Sequence, residues 1–184
     1  VARAARGHLV TMTVAPEVPG VAGADGVADA LADVGALPSF GHTDAAAGEM
    51  RAAIEESFDR LAADGVHSRR PTVTHLFNGM RPLHHRDPGP VAEFVSDAAR
   101  CGAVLEMICD GVHLDPSLVC DVMETVGRDN CVFVTDAMAA AGMPDGIHLH
   151  SLIYRRVMRW AIGKQSKRSA ARRNSMTSPY LWML

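Results

Sequence analysis

Five short runs of apolar and β-branched residues each lead into an acid or a histidine. Leu9–Val14 leads to Glu17, Leu37–Phe40 to His42, Thr72–Thr74 to His75, Val104–Ile108 to Asp110 and His113, and Val132–Val134 to Asp136. Runs of this length and composition predict strands, and the uniformly apolar Val132–Val134 predicts a buried one. The stretches between them have helical spacing. Asp25–Val34 puts Val27, Ala28, Leu31 and Val34 on one face, with Gly35 as its stop. After His42, residues Met50, Ile54, Phe58 and Leu61 share a face. Arg51 with Glu55, and Glu56 with Arg60, lie four apart on the other face, and Thr43 or Asp44 can cap this helix. Val91–Arg100 turns Val91, Phe94, Val95 and Ala98 inward, and Pro116 opens a helix bearing Leu118, Val119, Val122 and Val126. Strictly alternating strands and helices predict an α/β fold with a parallel sheet and right-handed crossovers. In such sheets chemistry gathers at the carboxyl ends of the strands, where these acids and histidines stand. The aperiodic segment Asn78–Gly89 predicts a functional or disordered loop, with His84 and His85 at its surface.

Length and charge narrow the classes. The 184 residues suffice for one domain with a sizeable core but fall short of the roughly 250 that a complete eight-fold α/β barrel needs. A net charge of −3 argues against general affinity for nucleic acid, and no apolar run is long enough to span a membrane. The absence of a leader pattern after Val1 and of C-x-x-C spacing among Cys101, Cys109, Cys120 and Cys131 predicts a cytoplasmic protein with reduced, buried cysteines. The average charge hides a break. Residues 1–145 hold all 21 acids and 10 arginines, a balance of −11, whereas 146–184 hold no acid and eight Lys or Arg, a balance of +8. Both lysines, both tryptophans and both tyrosines also lie in that tail. Such a discontinuity fits a separate basic module or a shifted reading frame, and composition favours the second. Leu152–Ile162 could form a basic amphipathic helix of the kind that meets membranes or partner grooves.

Taken singly, a histidine at a strand end is more often structural than a ligand, and Thr135-Asp136 could be a helix cap. Together the residues supply imidazoles and carboxylates for a divalent ion and a spare carboxylate to move protons. The segments Ala15-Pro16-Glu17, Gly41-His42-Thr43-Asp44-Ala45, Thr74-His75-Leu76-Phe77-Asn78-Gly79-Met80, Asp110-Gly111-Val112-His113 and Val134-Thr135-Asp136-Ala137 come in an order that resembles the N-acetylglucosamine-6-phosphate deacetylases of the amidohydrolase superfamily. The resemblance covers about residues 8–146. It implies a partial (β/α)8 barrel of about five βα units, its fourth to eighth, with a basic tail at 147–184 foreign to the family. It implies Glu17, His42 and His75 as ligands of a divalent metal, zinc before iron or cobalt, and Asp136 as the catalytic acid–base. Asn78, Gly79, Arg86 and the segment Asp110, Gly111, Val112 and His113 match positions that hold the sugar phosphate. The implied reaction converts N-acetylglucosamine 6-phosphate to glucosamine 6-phosphate and acetate in a homodimer, with no nucleic acid or membrane as partner. Two other readings stand beside it: an amidohydrolase for another N-acyl sugar or a cyclic amide, and a non-enzymatic fragment. The family's amino-terminal β segment, an upstream histidine and its later strands have no counterpart here. On that reading the 184 residues alone, with open sheet edges, are expected to aggregate and show little activity.

Overall fold

The strands add to the sheet in the order in which they leave the chain. In this computed structural model, which describes residues 2–5, 7–64, 68–137 and 141–142, β1 (Thr11–Val14), β2 (Leu37–Phe40), β3 (Thr72–Val73), β4 (Val104–Ile108) and β5 (Cys131–Val134) form one sheet in sequential order. Every pairing is parallel. The crossovers are α1 (Val27–Ala32), α2 (Ala47–Asp64), α3 (Gly89–Ala99) and α4 (Pro116–Val126), each helix packing on the next. All these elements lie in one unit, Val1–Asp136. The stretch 147–184, Leu152–Ile162 included, lies outside the described residues. Sequential order means that each right-handed crossover steps the same way, so the helices form one layer and the strand order never reverses.

Local chemistry explains the boundaries. α1 stops where Gly35 takes φ +77° and Ala36 N–H returns to Leu31 C=O. α4 starts on Asp115, whose carboxylate accepts from Ser117 N–H at 2.8 Å, with Pro116 in the first turn. β3 is only two residues long because His75 and Phe77, at φ +32° and +75°, turn the chain out of the sheet.

The register separates the two faces of the sheet. Phe40, Val73 and Leu105 lie side by side and are fully buried in the core with Leu31, Met50, Ile54, Val91 and Phe94. Fully burying one such side chain stabilises by about 1.5–3 kcal/mol. Residues one step along β1, β2 and β3 face the other way and carry hydroxyls. Thr72 Oγ1 donates to Ser39 Oγ at 2.7 Å, Ser39 and Thr74 hydroxyls meet at 2.6 Å, and Thr74 and Thr13 hydroxyls at 3.0 Å.

Four expectations are corrected here. Val132 and Phe133 form a strand but not a buried one, being 47% and 59% exposed, because β5 is an edge strand of this sheet. The cysteines are free, yet Cys101, Cys109 and Cys120 are exposed and Cys131 is half-buried. Cys101 stands just after α3 at φ +64° and Cys109 just past the end of β4, positions outside the packed faces. Arg51 reaches across to α3 and forks onto Glu93 at 2.8 and 2.9 Å, a pairing between helices that outcompetes one along α2. Thr43 and Asp44 do not cap α2; their polar atoms serve the site below.

Candidate active site

At the carboxyl ends of β2 and β3 the chain turns sharply, and the two turns bring His42 and His75 together. Their Nε2 atoms are 2.9 Å apart and the rings meet edge to face, centroids 4.6 Å apart. Both residues have left-handed backbone, at φ +49° and +32°, and so does Asp136 at the end of β5, at φ +48°. Such conformations in residues other than Gly are uncommon and gather at functional sites. His75 is buried, and its Nδ1 is buried without a hydrogen-bond partner among the described residues. Burial holds the His42 imidazole below its ordinary pKa; the neighbouring His75 pushes it the same way, and the Asp136 carboxylate opposes them. The net effect favours the neutral form of His42.

Gly79 makes this geometry possible. It sits at φ +62°, and a Cβ there would lie 2.6 Å from His42 Nδ1. Gly79→Ala therefore introduces a left-handed alanine and an overlap with the ring. The expected cost is about 1–3 kcal/mol, checked by chemical denaturation, together with displaced His42 ring resonances. Unmoved resonances would mean that the ring tolerates the methyl group.

Asn78, matched to substrate binding, spends its side-chain amide on the backbone, donating to His75 and Leu76 carbonyls at 3.2 and 3.3 Å. Glu17, matched to metal binding, bonds through both carboxylate oxygens to the residues after His42. Its Oε2 accepts from Thr43 Oγ1 at 2.6 Å and its Oε1 from Asp44 N–H at 2.7 Å. Among the described residues no third His, Cys, Asp or Glu completes a metal-holding cluster. The two imidazoles fit a divalent ion as donors, because their Nε2 atoms converge and imidazole is a ligand type that zinc, iron and cobalt favour. They supply two ligands of a set.

Sequence reasoning passed over Glu106. It interrupts the apolar run of β4 and shares the site's side of the sheet with Thr72. Burial raises its pKa, while the Thr72 hydroxyl and His75 pull it back down. A charged residue inside Val104-Leu105-Glu106-Met107-Ile108 was the available signal.

The loop after β4 forms a self-contained turn. Asp110 Oδ1 accepts from the Val112 and His113 amides at 2.9 and 2.8 Å, and Oδ2 meets His113 Nδ1 at 2.7 Å. These bonds, backbone first, lower the Asp110 pKa from 3.8 to about 2. Gly111, at φ +73°, lets the turn close, and Val112 is 86% exposed. Among the described residues no hydrogen bond or ion pair links this turn to the imidazole pair. Because the folded-state pKa is depressed, the turn's stabilisation is present above about pH 4 and lost as pH falls through about 2. Amide exchange at Val112 and His113 should quicken across that window, and in Asp110→Ala should be fast at every pH. Arg86, in the loop after β3, is exposed, as are His84 and His85. Arg81 is the clamp of that loop, with Nε 2.8 Å from Asp44 and a fork onto Asp87 at 2.9 and 2.8 Å.

No family model matches the chain. The curated N-acetylglucosamine-6-phosphate deacetylase of Lysinibacillus sphaericus is 36% identical over 138 residues, covering 73% of this chain and 30% of that protein. The chain is related to the N-acetylglucosamine-6-phosphate deacetylases. The deacetylase of this name from Mycobacterium smegmatis superposes with a TM-score of 0.64 at 36% identity, over 79% of this chain and 34% of that one. A variant of that enzyme in complex with N-acetyl-D-glucosamine-6-phosphate superposes with a TM-score of 0.65. An N-acetylgalactosamine-6-phosphate deacetylase of Escherichia coli O157:H7 is 40% identical over 110 residues, covering 58% of this chain and 24% of that protein. The chain thus spans about a third or less of the length of the deacetylases it matches. No helix among the described residues is long and apolar enough to cross a membrane.

Proposed function

We propose that residues 1–146 are the catalytic portion of a metal-dependent deacetylase that cleaves the acetamide of N-acetylglucosamine 6-phosphate, giving glucosamine 6-phosphate and acetate, with 147–184 as a basic tail outside it. The observation that carries this reading is the meeting of His42 and His75, with Asp136 within electrostatic reach, at the carboxyl ends of parallel strands in sequential order. Sequential order without a reversal is how a (β/α)8 barrel is wound, and it distinguishes this sheet from doubly wound folds, which reverse at a switch point.

His42 and His75 would hold the divalent ion, Zn²⁺ by donor type, with Fe²⁺ and Co²⁺ sharing the preference. When bound, such an ion polarises a carbonyl and lowers the pKa of water. Asp136 takes the proton of the attacking water and returns it to the amine nitrogen as the acetyl C–N bond breaks. Arg86 and the Asp110–His113 turn supply cationic and hydrogen-bonding groups for the phosphate and the sugar, with Asp110 fixing the His113 ring. Gly79 keeps space beside His42.

Acetate release tests this reading. Release from N-acetylglucosamine 6-phosphate should require added divalent metal, stop with chelator, and fall when the phosphate is removed. The relationship to the galactosamine enzyme favours one second reading, the 4-epimer as substrate. A higher kcat/KM for N-acetylgalactosamine 6-phosphate would select it, and no release from either sugar would reject both.

A further inference from the structure

His42 is held in its left-handed turn from both sides. Before it, Gly41 N–H extends the ladder to Val14 C=O at 3.1 Å, and Gly41 packs on Thr74 where a Cβ would lie 2.7 Å from that side chain. After it, the buried Thr43 and the Asp44 amide both donate to one carboxylate, that of Glu17, at 2.6 and 2.7 Å. The Thr43 hydroxyl in turn accepts from Ala45 N–H at 3.1 Å. Glu17 arrives from the loop after β1, so this carboxylate ties the end of one strand to the two residues that follow the imidazole on the next. Both of its oxygens bond to donors, and no cluster of three metal-binding side chains forms around it among the described residues. Charge-assisted bonds to carboxylate are stronger than neutral ones, and outer groups that fix a ligand typically change metal affinity 10–100-fold.

We propose that Glu17 is a positioning residue rather than a ligand: it fixes Thr43 and Asp44, and thereby aims the His42 ring at His75. The effect on metal affinity rests on the reading of His42 and His75 as metal donors; the effect on the ring does not. The test uses the whole chain and has two arms. In metal-free protein, Glu17→Ala and Thr43→Val should each speed Asp44 amide exchange at least about tenfold. Both should also shift the His42 ring nitrogens while leaving those of His113 unmoved, and Thr43→Ser should restore the wild-type values. In the second arm, titration with Co²⁺ alone should give about 10–100-fold weaker binding in Glu17→Ala and in Thr43→Val. The losses should not add in the double variant, and the visible spectrum of the saturated protein should be unchanged. A changed spectrum at saturation in Glu17→Ala would make Glu17 a ligand and overturn the proposal. Unmoved His42 ring nitrogens in both variants would also overturn it, as would wild-type affinity in both. Failure of the wild-type protein to take up Co²⁺ would count against the metal centre itself and leave the metal-free arm to decide the role of Glu17.

Discussion

In an intact parent enzyme, Asp136→Asn is expected to lower turnover by about 10²–10⁴-fold while leaving the fold and metal uptake intact. The substitution is unusually clean here. Asp136 occupies left-handed backbone at φ +48°, and Asn tolerates that region as well as Asp does, so no strain is added. The side chain is exposed, so no core contact is lost. What changes is the ability to accept a proton and the negative charge beside His42. The second change has its own readout. The Asp136 carboxylate raises the His42 pKa against burial, so in Asp136→Asn the His42 titration should move further down. A lowered His42 titration with unchanged acetate release would place Asp136 beside the imidazoles without a catalytic role. Unchanged values of both would separate it from the site altogether.

The strands and their acid or histidine ends were legible because period and composition report burial on a sheet, and a parallel sheet puts strand ends on one side. The convergence of His42, His75 and Asp136 could be read that way. The hydrogen bonds of Glu17 and Asn78 were not legible. A carboxylate two residues beyond a strand can bind a metal or tie down the next loop, and the choice depends on where Thr43 and the Asp44 amide lie in space. Asn78 has the donors to grip a substrate, yet its position in the turn after β3 directs them to its own backbone. Left-handed backbone at His42 and His75 leaves no mark in sequence, since only Gly, Asn and Asp signal that region. Glu106 was overlooked because one acid in an apolar strand reads as an exception until the fold sets it beside Thr72 and His75. Helix faces misled in the same way: Arg51 has Glu55 one turn away on its own helix, but its bidentate partner comes from α3.

His75→Ala should abolish metal-linked stabilisation while changing the metal-free protein much less. A ligand that binds only the folded state stabilises by RT ln(1 + [L]/Kd), about 2.7 kcal/mol at 100 times Kd, and this is lost entirely when a donor is removed. In the metal-free protein two effects oppose each other. The variant forfeits the packing of a buried ring, yet it also removes Nδ1, a buried polar atom without a partner, whose burial costs about 1–3 kcal/mol. Alanine at φ +32° is no more strained than histidine there. Thermal melting with and without Zn²⁺ should show an upward shift of several degrees in the wild-type protein and none in His75→Ala. The wild-type shift has a pH signature with a definite sign. Burial depresses the His42 pKa, so the stability carried by its neutral imidazole is fully present above the unfolded value of about 6.5 and is lost as pH falls from there through the depressed folded value. The metal-dependent shift should shrink over the same acid range as protons compete for the imidazole nitrogens. Stoichiometric zinc retained by His75→Ala, or a metal shift unchanged between pH 7 and 5, would remove this imidazole pair from the metal centre.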